Sequence, residues 1–372
     1  MSDCFSHKKQ ALWILFVSGS LCFLMFYVGL PVFFLPDLVV VLFACWAIIH
    51  MRQAVSPLLW VSILFLIGYL CFSPPRSDIE FDNKFLITIK PFIYLIILYL
   101  TSEVRVKWNL RPWIYGFVVL YPVMLLWDIL LWYVRDGFFM TRPNFIFENN
   151  FEVPLLLTCF VIIAFIYKDK DLKVFFLVAL SIFLTGSRSG LIGLLLIGFP
   201  YLLSLGKRQK LFGLFMLGAV LVYSFAVRGI PALNTNSIDR VQTFYAMLSY
   251  YNHSWIDLIR EPFGVGIYQK VPSYICLPLA QFSEWFNGNS YNCDPIMFQS
   301  FITRTLYQMG IIAVLYIIGA FFWELRNKMG TFLALLVLAP VFSASLSVGG
   351  FSNGIAFLGI VLSLMAYQRD NV

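Results

Sequence analysis

Long apolar runs separated by short polar breaks recur along almost the whole chain, near residues 11–29, 32–50, 57–73, 86–101, 113–133, 153–167, 172–187, 189–205, 211–227, 299–323, 331–348 and 354–367. A helix needs on the order of 17–25 apolar residues to cross a hydrocarbon layer of about 30 Å, and runs of this kind supply them. Segments such as VFFLVALSIFL and LIGLLLIGFPYLL are apolar on every face. A membrane-barrel strand would instead alternate apolar and polar residues with period two. The pattern predicts an all-α, polytopic membrane protein of about 12 transmembrane helices, one membrane domain over residues 1–372. The first run follows a head carrying Lys8 and Lys9, shows no small-residue cleavage site and leads directly into the second, so it is expected to be retained.

The widest gap in the pattern, residues 228–298, is predicted as a loop subdomain inserted between the ninth and tenth spans. Loops beyond about 15 residues in compact proteins are usually functional or disordered, and the aromatic content here, with Trp255 and Trp285, argues for order. Its stretch IDRVQTFYAMLSYYNHSWIDLI has apolar residues at helical spacing and predicts one or two helices lying against the membrane surface.

Composition agrees: 60% hydrophobic and 12% charged residues leave too little polar surface to coat a water-soluble globule. The charges that remain fix an orientation. With the N-terminus inside, the head and alternate connections hold 15 of the 26 basic residues (among them Lys168, Lys207, Arg208 and Arg326) but only 6 of the 19 acidic ones. That is the positive-inside bias, with both termini cytoplasmic. The net charge of +7 is therefore a topology signal and not a nucleic-acid surface, since no basic cluster interleaves with aromatics in a polar stretch. Of seven cysteines, only Cys276 and Cys293 share the long outward loop, where oxidation is permitted. A disulfide between them and a pair of buried thiols are both open readings.

On the outward face, TGSRSGLIGLLL sets Arg188 at a span end among residues small enough for close helix packing. Arg188 either snorkels to the headgroups or offers a fixed, always-charged fork to a phosphate. Arg135, Arg142, Arg240 and Arg304 also stand on this face, against the charge bias, together with carboxylates that include Glu148 and Asp294. Each arginine is a candidate anion ligand or an ion-pair partner. No CxxC, HExxH, GxGxxG or Walker A spacing is present, so neither a metal site nor a nucleotide cofactor is expected.

Three elements in order, TGSRSGLIGLLLIG, then IDRVQTFYAMLSYYNHSWIDLIREPFGVGIY in the long loop, then FQSFITRTLYQMGIIAVLYIIGAFF, resemble the O-antigen polymerase and O-antigen ligase superfamily over about positions 140–325. The matching positions are Thr185 to Gly190, Arg240, the P-x-x-G-x-G of Pro262, Gly264 and Gly266, and Gly310. The ligase branch carries a His-Asn pair before the helix that closes the loop; here Asn292, Cys293, Asp294 and Pro295 stand there, so the resemblance favours the polymerase branch. It implies a metal-independent GT-C-type glycosyltransferase of the bacterial inner membrane, joining undecaprenyl-pyrophosphate-linked oligosaccharide repeat units on the periplasmic side. A chain-length regulator is a possible partner. Arg188, Arg240, Arg142, Arg304 and Arg135 would hold the pyrophosphate. Asp294, Glu148 and His253, in that order, are the candidate bases, although Asp294 ahead of Pro295 also reads as a helix N-cap. A ligase and a flippase of the same lipid-linked glycan are the alternatives.

Overall fold

The computed structural model describes residues 42, 45, 57–72, 83–102, 110–137, 152–168, 172–228, 239–251, 254–267, 269–276, 295, 298, 300–346 and 349–370. Among them the chain is all-helical, without a strand. The expected spans near 11–29 and 32–50 lie outside this set, apart from Leu42 and Cys45.

The long helices follow the apolar runs: α1 (Pro57–Phe72), α2 (Asn83–Ser102), α3 (Arg111–Asp136), α4 (Glu152–Ile166), α5 (Leu172–Thr185), α6 (Arg188–Leu203) and α7 (Lys207–Arg228). The gap after them contains α8 (Asp239–Tyr250), α9 (Trp255–Arg260) and the single turn α10 (Ser273–Cys276). Three more apolar helices close the chain, α11 (Phe301–Met329), α12 (Thr331–Ser345) and α13 (Gly354–Asp370), with a 3-10 turn at Gly350–Ser352 between the last two. Local chemistry sets many of the ends. Gly137 stops α3 in a left-handed conformation, its N–H bonding the Tyr133 carbonyl. Ser187, Ser254, Ser300 and Asn353 accept hydrogen bonds from backbone N–H groups in the first turns of α6, α9, α11 and α13.

Two helices, Arg111–Val134 and Phe301–Met329, are long and apolar enough to cross a membrane, and shorter apolar helices within α1, α2, α4, α5, α6, α12 and α13 accompany them. The apolar window of α3 is only 28% buried, against 56% for α11. Trp113, Val123, Leu126, Trp127, Leu130 and Val134 stand exposed along it. In water such a face would be an aggregation site, whereas lipid is an apolar solvent for it.

The helices pack into one main core. α4 lies against α13, α6 against α12 and α4, α11 against α12 and α2, and α5 bridges α3 and α7. Glycines set the closest approaches. A Cβ on Gly190 would stand 2.5 Å from Pro154 Cβ, and one on Gly193 would meet Thr158 and Pro340 at 3.1 and 3.3 Å. These contacts bring α4 and α6 side by side and parallel, with their starts level; Gly359 against Cys159 sets the close approach of α4 and α13.

One end of the bundle is tied by polar contacts near the basic connections. Ser102 Oγ donates to the buried carboxylate of Glu324, and Gln368 Nε2 donates to the Ser102 carbonyl at 2.7 Å, joining α2, α11 and α13. Arg111 donates to the Tyr167 carbonyl at 3.0 Å and lies over the Tyr167 ring. Glu324, one of the 6 acidic residues that the sequence assigns to the head and basic connections, is instead a core residue at 3% exposure. A second, smaller core gathers Met247, Leu248, Tyr251, Val271, Ile275, Phe298, Leu306 and Tyr307, joining the loop helices to the start of α11.

Candidate functional site

The opposite end of the bundle is organised by a break in α11. Gly310 has φ 75° and ψ −178°, a conformation open almost only to glycine, and it divides the helix into Phe301–Met309 and a longer segment from Ile311. A break deprives backbone groups of their helical partners. Inside an apolar bundle each orphan needs a replacement. The P-x-x-G-x-G segment supplies them: Val265 N donates to the Tyr307 carbonyl at 2.8 Å, Gly266 N to Gln308 at 3.0 Å, and Ile312 N donates to the Pro262 carbonyl at 3.2 Å. Tyr69 of α1 donates its hydroxyl to the Met309 carbonyl at 2.5 Å. Gly264, at φ 69°, lies backbone to backbone with Gly310, so that a Cβ on either would run into the other segment's main chain.

The short segment before the break turns back into the bundle. Ile311 to Met329 rises about 27 Å, whereas α12, returning from the Gly330 turn, climbs only about 21 Å before it ends. Yet Ser300, at the far end of α11, donates to the carbonyl of Ser345 at the end of α12, at 2.9 Å. The ring of Phe351 touches both Phe301 and Phe321, at 5.5 and 5.2 Å between centroids. Ser300 therefore lies deeper than Gly310, and the N-terminus of α11 points inward.

This reversal buries polar side chains. Thr303, Arg304, Thr305 and Gln308 are all buried, Arg304 at 6% exposure. Arg304 donates to Ser352 Oγ at 3.0 Å, and Ser352 Oγ donates to the Gly349 carbonyl at 2.7 Å. Gln308 donates to the Ile267 carbonyl at 3.1 Å and accepts from Thr88 at 3.2 Å, tying the break to α2. Ser345 accepts from Phe351 N at 3.1 Å, and the space beside it admits only glycine at position 350.

The starts of α4, α6, α11 and α13 thus share one end of the bundle with the 3-10 turn. Each helix N-terminus carries partial positive charge, with first-turn N–H groups of α6, α11 and α13 taken up by Ser187, Ser300 and Asn353, and the buried Arg304 guanidinium stands among them. Arg188 is the first residue of α6, placed immediately after its Ser187 cap and the left-handed Gly186 (φ 58°).

Of the residues selected from the sequence, the structure thus brings Arg188 and Arg304 to the same end of the bundle, though the side chain of Arg188 lies outside the described residues. Arg240 is the second residue of α8 and Arg135 falls in the last turn of α3, their side chains likewise outside the described set. Arg142, Glu148, His253, Cys293 and Asp294 lie outside it altogether, as does the side chain of Cys276. Sequence reading placed Arg304 on the outward face, near the entry to the tenth span, and passed over Ser300, Gln308, Ser345 and Ser352. The one signal that marks the last of these is the run SVGGFSNG, a small-residue break between two apolar stretches. Among the described residues no group of His, Cys, Asp and Glu is arranged to hold a metal ion.

The sequence matches no protein-family model, and no curated protein or solved structure matches it.

Proposed function

We propose that this chain is an O-antigen polymerase, a GT-C-type glycosyltransferase of about a dozen spans in the bacterial inner membrane, joining undecaprenyl-pyrophosphate-linked repeat units on the periplasmic face. The observation that carries the reading is the docking of Pro262–Gly266 onto the break at Gly310. Two of the motifs behind the resemblance, far apart in sequence, form one unit beside a buried arginine, at the bundle end opposite the basic connections.

In the proposed reaction the acceptor hydroxyl oxygen forms a bond to the anomeric carbon of the donor glycan. The bond from that carbon to the undecaprenyl pyrophosphate oxygen breaks, and the hydroxyl proton passes to a base. Pyrophosphate is already a good leaving group, so the enzyme's main tasks are to hold its developing charge and to receive one proton. Arg304, the helix N-termini around it and Arg188 suit the first task, with Arg240, Arg142 and Arg135 as further candidates. Asp294, Glu148 and His253 remain the candidates for the second.

A flippase of the same lipid-linked glycan is the reading that the break in α11 favours, because transporters place substrates at discontinuous helices. Here, however, several of the freed backbone groups are taken up by the chain's own loop and by Tyr69.

Loss of the gene in a smooth strain tests these readings. Lipopolysaccharide capped by a single repeat unit is the expected result. Absence of attached O-antigen would identify a ligase, units stranded on the cytoplasmic side a flippase, and normal chain lengths would sink all three. Arg188→Ala, Arg240→Ala and Arg304→Lys should each lose polymerisation while protein still accumulates.

A further inference from the structure

The loop helices carry an aromatic group that the pyrophosphate chemistry does not use. Tyr250, at the end of α8, packs edge to face on Tyr251 and on Tyr307, at 5.1 and 5.5 Å between centroids. Tyr307 is itself held by donating to the Lys270 carbonyl at 3.1 Å. On α10, which packs against α8, Tyr274 stands 58% exposed. Glu261 ends α9, its N–H bonded to the Asp257 carbonyl and its own carbonyl accepting from Gly264 N, so the docked P-x-x-G-x-G segment fixes its backbone. Its side chain is exposed.

We propose that Tyr250, Tyr274 and Glu261 form a subsite for the sugar units of a glycan chain, the phenol rings meeting a pyranose face and the carboxylate accepting from its hydroxyls. A pyranose ring presents C–H groups on one face and hydroxyls around its edge, which calls for an aromatic platform with an acceptor at its rim. The electrostatics agree. Partial burial raises the Tyr250 phenol above its ordinary value, and the charge of Glu261 and the neighbouring Tyr274 raise it further. Burial, then Glu261 and Tyr250, do the same for Tyr251, so both hydroxyls remain protonated donors. The Tyr251 hydroxyl is buried and has no hydrogen-bond partner among the described residues, a state that buried polar groups seldom keep. The choice of a glycan as ligand rests on the polymerase reading; the exposure and packing of the three side chains do not.

The test uses the full chain in lipid nanodiscs and, as probe, the polysaccharide released by mild acid from the lipopolysaccharide of the cells that make the protein. Titration should slow hydrogen exchange in peptides that carry Tyr250 and Tyr274. Tyr274→Ala and Glu261→Gln, both exposed positions, should raise the half-saturating concentration about five- to tenfold without moving the thermal midpoint. Absence of binding by the wild type, or equal binding by both variants, would overturn the subsite. So would protection that lipid alone provides, complete in nanodiscs before glycan is added and lost in detergent, which would make the rings a headgroup shelf. Chain length after gene loss decides the polymerase reading separately, so the two failures are told apart.

Discussion

At the scale of single residues, Gly310 and Gly264 act as a pair. Alanine at Gly310 would hold a strained backbone conformation, at about 1–3 kcal/mol, and would also press against the Pro262 carbonyl. We expect Gly310→Ala and Gly264→Ala each to lower the thermal midpoint in detergent and to abolish the proposed polymerisation. The double variant should lose less stability than the sum of the singles, because the first substitution already opens the contact. Strictly additive losses would show that the two backbones do not meet. Glu324 supplies a second residue-scale expectation. Its carboxyl accepts from Ser102 in a buried setting, so Glu324→Ala should cost about 1–3 kcal/mol by removing that hydrogen bond and leaving a gap in the core, although the Ser102 hydroxyl keeps the Tyr99 carbonyl at 3.1 Å; Glu324→Gln retains an acceptor and much of the stability. Equal losses in thermal unfolding would deny the hydrogen bond its role.

At the scale of elements, glycines that look alike in the sequence have opposite duties. Gly190 meets Pro154 where α6 packs on α4, whereas a Cβ on Gly218 or Gly319 meets nothing within 4 Å. Gly190→Ala should force α4 and α6 apart and destabilise by about 1–3 kcal/mol. Gly218→Ala and Gly319→Ala should be neutral or stabilise by up to about 1 kcal/mol through helix propensity. Unfolding midpoints for the three variants check the ranking, and a loss at Gly319 equal to that at Gly190 would contradict the packing described for α11. The positions of the apolar helices were legible in the sequence because an apolar run of adequate length leaves the backbone few alternatives to a helix. The break at Gly310 was not. A glycine in an apolar run reads as a packing residue, and only the Pro262–Gly266 segment, more than forty positions earlier, gives it an unwound conformation. Arg304 was misplaced for the same reason: on a straight α11 it would stand at the surface, and the reversal at Gly310 carries it inward. Glu324 looked like part of a connection because α11 continues beyond the run that marks it, as far as Met329.

At the scale of the whole molecule, the two ends of the bundle are chemically unlike. One end holds Lys168, Lys207, Arg208, Lys210, Arg326 and Lys328 at the turns between helices. The other gathers helix N-termini, Arg304, the docked loop and its aromatic helices. This asymmetry makes orientation a direct test of the proposal, since the proposed reaction takes place outside the cytoplasm. Two exposed probes at the two ends are Ser273, at the start of α10, and Gly206, in the turn between α6 and α7, where a Cβ meets no atom closer than 4.0 Å. In a cysteine-free background, Ser273→Cys should react with a membrane-impermeant maleimide in spheroplasts. Gly206→Cys should react only after the membrane is opened, because positively charged connections are retained on the cytoplasmic side. The reverse pattern would place the Arg304 end inside the cell and remove the periplasmic glycosyl transfer, even if the fold stood unchanged. Reaction of both sites in intact spheroplasts would mean that the bundle does not separate two compartments, and the membrane reading of its apolar faces would fail with it.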